Sequence, residues 1–257
     1  MTFTRRDTLK LGAAGLVGFG ATTLVPFHAR GQDSGDSYET DSGKITVHPI
    51  AHASFVMTVP GLVIYNDPVG GAEAYQGRPA PDLILITHEH GDHYNVETLA
   101  ALVADGTRLI TNPAVFDMLP DDLKSRATAI GNGQSTDIGA LTVDAIPAYN
   151  TTEERLKYHP EGRDNGYVLT IDGRRVYIAG DTEDIPEMRA LENIHVAFVP
   201  MNLPFTMDID QASSAVAEFK PDYAYPYHYK GSDPQAFAGK VAEAGVETEI
   251  VQGPWYG

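Results

Sequence analysis

The chain has 257 residues, 42% of them hydrophobic and 21% charged, with 35 acidic against 18 basic residues and a formal net charge of −17. That is enough chain for one substantial globular domain or two small ones. The acidity, with no Lys/Arg cluster in the body, argues against a nucleic-acid partner. Cysteine is absent, which rules out disulfides, thiolate metal ligands and a cysteine nucleophile.

The first 31 residues read as a segment apart from the fold. Arg5-Arg6 precedes Lys10 and a Gly/Ala-rich apolar stretch from Leu11 to Val25. This resembles a twin-arginine export signal and is short for a membrane span. The expectation is an exported, periplasmic protein with no membrane attachment once processed. Residues 32–43 are polar and Gly/Ser-rich and read as a linker, so folded sequence is expected from 44 to 257.

Short strands are predicted over 45–50, 54–59 and 62–66, the last two joined by a turn at Pro60-Gly61. Residues 83–87 read as a buried strand. A helix over 96–104 follows, with Asn95 as its N-cap and Glu97 in its first turn. Then come a strand at 108–111, a short helix at 113–118 and a strand at 141–148. Residues 150–165 form a long polar stretch containing His159; such a loop in a compact domain is often functional. A hairpin over 167–171 and 175–179 turns at Asp172-Gly173. A helix at 185–191, a strand at 196–200, an amphipathic helix at 210–219, a strand at 223–227, a helix at 234–244 and a strand at 247–251 complete the reading. Early hairpins followed by alternating strands and helices imply an α/β fold with a mixed sheet covered by helices.

The chemistry concentrates at strand ends. His88-Glu89-His90-Gly91-Asp92-His93 follows the apolar run Leu83-Ile84-Leu85-Ile86. Three imidazoles and a carboxylate in six positions are hard to explain by packing and suit a metal site of nitrogen and oxygen ligands. The spacing allows His88 and His90 to address one cation, and Asp92 and His93 another. It is not the zincin helix motif, because position 92 is Asp rather than His. Gly180-Asp181-Thr182 ends a second strand and Tyr227-His228-Tyr229 a third. Either alone is weak, an ordinary turn acid and an ordinary histidine; in combination they strengthen the reading. His52 and Asp67 are candidates to support a ligand imidazole, although a packed hairpin histidine and an Asx turn before Pro68 explain them as well. His48 and His195 read as structural.

With Ala51-His52-Ala53-Ser54-Phe55, Asn66-Asp67-Pro68, Pro147-Ala148-Tyr149-Asn150 and His159-Pro160-Glu161-Gly162, these segments resemble the metallo-β-lactamase superfamily. More narrowly, they resemble its branch containing ascorbate-6-phosphate lactonase and N-acylphosphatidylethanolamine phospholipase D. The resemblance spans residues 44–252. It implies an αββα sandwich of two mixed sheets flanked by helices. It also implies two divalent cations, Zn first with Mn or Fe as alternatives, with Asp181 bridging them and His228 joining Asp92 and His93.

One departure stands out. The family's third histidine for the first cation is expected after the strand at 141–148, where this chain has Tyr149 and Asn150. The first position is therefore weak, or filled by an amide oxygen or water, or completed by His159 from the loop. His159 also fits proton transfer or a structural role.

The implied activity is hydrolysis of an ester, lactone or phosphodiester of a small polar substrate by a metal-bound water. Asp92 would orient that water and accept its proton. Tyr149, Asn150, His159 or Lys230 would stabilise the developing oxyanion or protonate the leaving group. The rival readings are a non-catalytic metal-binding or partner-binding module and a di-iron oxidoreductase of the same fold. The latter usually has Glu where this chain has His90.

Overall fold

The computed structural model describes residues 35–256. The export-signal reading of residues 1–31 lies outside the described residues. Among the described residues, fourteen strands form two seven-stranded sheets. The first runs in chain order through β1 (Asp36–Glu39), β2 (Lys44–Ala51), β3 (Ser54–Val59), β4 (Leu62–Asn66), β5 (Leu83–Ile86), β6 (Arg108–Thr111) and β7 (Ala127–Ala129). The second runs through β8 (Ser135–Ile138), β9 (Leu141–Ala148), β10 (Asp164–Ile171), β11 (Arg174–Ile178), β12 (Val196–Pro200), β13 (Tyr223–Tyr227) and β14 (Glu249–Ile250). In both, the first four strands pair antiparallel and the remaining pairings are parallel. The two sheets thus share one topology, although the sequence carries no visible repeat.

Among the described residues, six α-helices cover the outer faces: α1 (Val96–Leu102), α2 (Pro113–Met118), α3 (Asp121–Lys124), α4 (Pro186–Arg189), α5 (Ile209–Phe219) and α6 (Pro234–Glu243). Three apolar cores result. The central one joins the facing sheets through Val47, Phe55, Met57, Phe198, Tyr225 and Trp255, with Phe55 stacked on Phe198 at 4.1 Å. A second packs Met188, Val216, Phe219 and Phe237 of α4–α6 on one sheet. The third packs Leu99, Val115 and Leu123 of α1–α3 on the other. This is an αββα sandwich.

Local chemistry explains the elements. All four residues of β5 are buried, as a parallel strand covered on both faces requires. Asn95 caps α1 by accepting from the Thr98 N–H. Asp208 and Gln211 form a reciprocal capping box at the start of α5.

Three expectations need correction. The supposed linker at 32–43 contains β1, which pairs with β2. Tyr38 is its single inward apolar residue, and its hydroxyl lies 2.5 Å from that of Tyr225. One inward side chain is too little periodicity to announce a strand. The irregular segment expected at 150–165 also ends earlier, because Asp164 and Asn165 belong to β10 opposite Ala148 and Pro147. The helix expected at 185–191 contracts to α4, with Pro186 at its first position.

Candidate metal centre

The candidate residues gather along one edge of the sandwich, in the segments after β4, β5, β9, β11 and β13 and in the turn between β2 and β3. The C-terminal ends of parallel strands are where α/β sheets offer open loops for ligands. Two groups form there. His88, His90 and His159 bring one nitrogen each within 4.8 Å of one another, and so do the ligand atoms of His52, Asp92, His93 and His228. Asp181 lies between them. Its Oδ2 is 3.8 Å from His88 Nε2, 3.4 Å from His159 Nε2 and 3.2 Å from His228 Nε2. Its Oδ1 is 3.3 Å from His93 Nε2.

The imidazoles are oriented from behind. His93 donates Nδ1–H to Asp67 at 2.8 Å, and His159 donates Nδ1–H to Asp164 at 2.9 Å. Asp67 also accepts from the Thr87 N–H and hydroxyl, both at 2.8 Å. With its proton committed to Asp67, the Thr87 oxygen accepts from His88 Nδ1–H at 3.0 Å. A carboxylate accepts only, so these contacts commit each Nδ1–H outward and turn each Nε2 inward. The Nε2 atoms of His88, His93, His159 and His228 and the Oδ1 of Asp181 are buried without a hydrogen-bond partner. Buried polar atoms normally have partners. Four inward nitrogens and a carboxylate oxygen lacking them fit divalent cations of the Zn, Mn or Fe class.

Backbone strain is concentrated here. His52, Asp67 and His228 all adopt the left-handed region, at φ of 54°, 41° and 46°. Non-glycine residues hold that conformation only where the surroundings impose it. Burial drives His88 far below the ordinary imidazole range, reinforced by His93. Burial also opposes charge on His159, but Asp164 and Asp181 outweigh it and push that group up to about 9. For His228, Asp181 and Asp92 overcome burial and push it up to about 10. Burial raises Asp181, yet His228 and His93 more than compensate and hold it well below the carboxylate range.

For the open third position beside His88 and His90, the structure brings up His159. Asn150 is buried, but its Nδ2 donates to the carbonyls of Arg155 and Phe205. The Tyr149 hydroxyl donates to Glu187 at 3.2 Å. Of the four residues suggested for oxyanion stabilisation, these two are therefore already engaged. His52 donates to or accepts from Tyr256 through Nδ1 and meets Asp92 through Nε2 at 3.0 Å. Lys230 is exposed, and its carbonyl accepts from Asn202. His48 faces Arg78 and His195 faces Asp222, outside both groups. Sequence reading missed Thr87, Asp164 and Tyr256. Only Asp164, in the polar run Arg163-Asp164-Asn165 at a strand start, left a visible signal.

Residues 46–228 match the family model described as the β-lactamase superfamily domain. The chain is 27% identical over 216 residues to a UPF0173 metal-dependent hydrolase of Methanopyrus kandleri, covering 79% of this chain and 94% of that one. Among solved structures it resembles a Parabacteroides distasonis protein assigned as a metal-dependent hydrolase. That match has 41% identity and a TM-score of 0.77, over 84% of this chain and 97% of the other. Igni18, a metallo hydrolase of Ignicoccus hospitalis, aligns at 25% identity and a TM-score of 0.67, over 81% and 95% of the two chains.

Proposed function

The chain belongs to the β-lactamase superfamily, and from that premise we propose that it is a metal-dependent hydrolase that cleaves an ester, lactone or phosphodiester. The observation that carries this reading is the convergence of partnerless buried Nε2 atoms on Asp181. In the proposal His88, His90 and His159 hold one divalent cation and Asp92, His93 and His228 a second, with Asp181 shared. Zn suits this donor set first, and Mn or Fe second. When bound, such a pair polarises a carbonyl or phosphoryl oxygen and lowers the pKa of a water.

The chain's own groups supply the rest. Asp92 has a half-exposed side chain; it orients the attacking water and takes its proton, while His52 and Tyr256 behind it fix its position. Asp67 and Asp164 hold the imidazoles of His93 and His159 against rotation. Around the centre the segments carry apolar side chains. Of the five exposed large hydrophobic residues among those described, Leu156 lies on the segment after β9, Phe205 packs its ring on Tyr158 of that segment, and Tyr256 bonds His52. Exposed apolar side chains gathered around a polar centre suit the non-reacting part of a substrate. The polar group expected from sequence is thus proposed to carry an alkyl or aryl substituent.

The test is metal analysis of purified protein with activity against ester, lactone and phosphodiester panels. Near-stoichiometric metal is expected, with activity falling to background in His90→Ala and Asp181→Asn. Full activity in a thoroughly metal-free sample would sink the reading.

A further inference from the structure

His159 stands on an irregular segment, residues 149–163, between β9 and β10, whose only regular feature is one 3-10 turn, Glu153–Arg155. A flexible loop holds an imidazole poorly, because ordering each backbone residue costs conformational entropy. The segment therefore needs anchors, and the main one is Glu183, whose side chain is fully buried. Its Oε2 accepts from the Thr151 N–H at 2.6 Å, the Thr152 N–H at 2.6 Å and the Thr151 hydroxyl at 2.9 Å. Its Oε1 accepts from Arg155 Nη1 at 2.6 Å. Arg155 in turn reaches Gln211 at 2.9 Å and the Thr206 carbonyl at 3.2 Å. The loop then closes on itself, as the Asn150 N–H donates to the His159 carbonyl at 2.9 Å.

Glu183 also shares a turn with the bridging acid. Gly180-Asp181-Thr182-Glu183 leaves β11 with Gly180 at φ 66°, where an added Cβ would lie 2.7 Å from the Asn165 carbonyl oxygen. That contact holds the turn tight against β10. Asp181 faces the histidines, Thr182 bonds the Tyr149 carbonyl at 2.9 Å, and Glu183 holds the loop. Both oxygens of Glu183 are engaged there, and it belongs to neither ligand group.

We infer that Glu183 is a positioning residue that sets His159 beside His88 and His90 by clamping the loop through Thr151, Thr152 and Arg155. The inference rests on the metal-binding reading above. Asp92, His93 and His228 come from other segments and make no hydrogen bond to Glu183, and the shared Asp181 is held by the Gly180 turn packed on the Asn165 carbonyl, so removal of Glu183 should act on one cation position and spare the other. Changes to groups that orient a ligand weaken metal affinity by about 10- to 100-fold.

The experiment is calorimetric titration of the metal-stripped full chain with Zn2+, with Co2+ absorption spectra reporting coordination. Wild type is expected to show two binding events. Glu183→Ala should weaken one by about 10- to 100-fold and leave the other unchanged, with Co2+ bands altered for the weakened position only. Arg155→Met, which cuts the same clamp from the opposite side, should weaken the same event; it decides the matter if Glu183→Ala does not fold. Unchanged affinities, or equal weakening of both events, would overturn the inference. A wild type that takes up no Zn2+ would instead overturn the metal-binding reading and this inference with it.

Discussion

At the scale of the residue, the histidines are arranged to exchange a proton for a cation. Without metal, His159 is pushed up to about 9 and His228 to about 10, burial being outweighed by the carboxylates around them. Coordination requires each Nε2 lone pair, so metal uptake must expel those protons. At pH 8, Zn2+ binding is expected to release about two protons per chain, measurable with an indicator dye in weak buffer. The sign for stability follows from linkage. Both groups lie above their ordinary value of 6.5, so their stabilisation is complete below about pH 6.5 and lost as pH rises through 9 to 10. The melting temperature of the metal-free protein should fall across that window while that of the loaded protein stays nearly flat. Equal slopes, or no proton release, would contradict the assignment.

At the scale of the element, much was legible because capping and burial act locally. Asn95, read as the cap of α1, accepts from the Thr98 N–H, and the Leu-Ile run of β5 announced a buried strand. β1 was not legible. Its stability comes from pairing with β2 and from Tyr38 reaching Tyr225, 187 residues away in the chain, and no local pattern encodes such a contact. Removing the large buried side chain in Tyr38→Ala is expected to destabilise the fold by about 3 kcal/mol with metal content unchanged. Denaturant unfolding checks this, and a loss below about 0.5 kcal/mol, ordinary for a surface position, would mean β1 adds little.

At the scale of the whole molecule, the candidate centre is a tie between the two sheets. His88, His90, Asp92 and His93 follow β5 of one sheet, while Asp181 and His228 follow β11 and β13 of the other. A cation held across them binds only the folded state. At a free concentration 100 times Kd it adds about 2.7 kcal/mol per position. A chelator is therefore expected to lower the melting temperature by about 5–10 °C per position, reversibly on adding Zn2+. An unchanged melting temperature after complete metal removal would show that the two sheets do not share the cations.

The sequence by itself determined the donor types, because composition leaves only His, Asp and Glu for a metal and the His88–His93 block clusters them within one turn of chain. It also determined the α/β class, through strand and helix periodicities that each span only a few residues, while the two-sheet sandwich was implied by the family resemblance. Which histidine stands beside His88 and His90 was decided by the tertiary structure alone. His159 arrives from a loop with no periodicity of its own, fixed by Asp164 and, through the loop, by Glu183. Local propensity acts between near neighbours, whereas this placement depends on hydrogen bonds between segments brought together only when the second sheet folds.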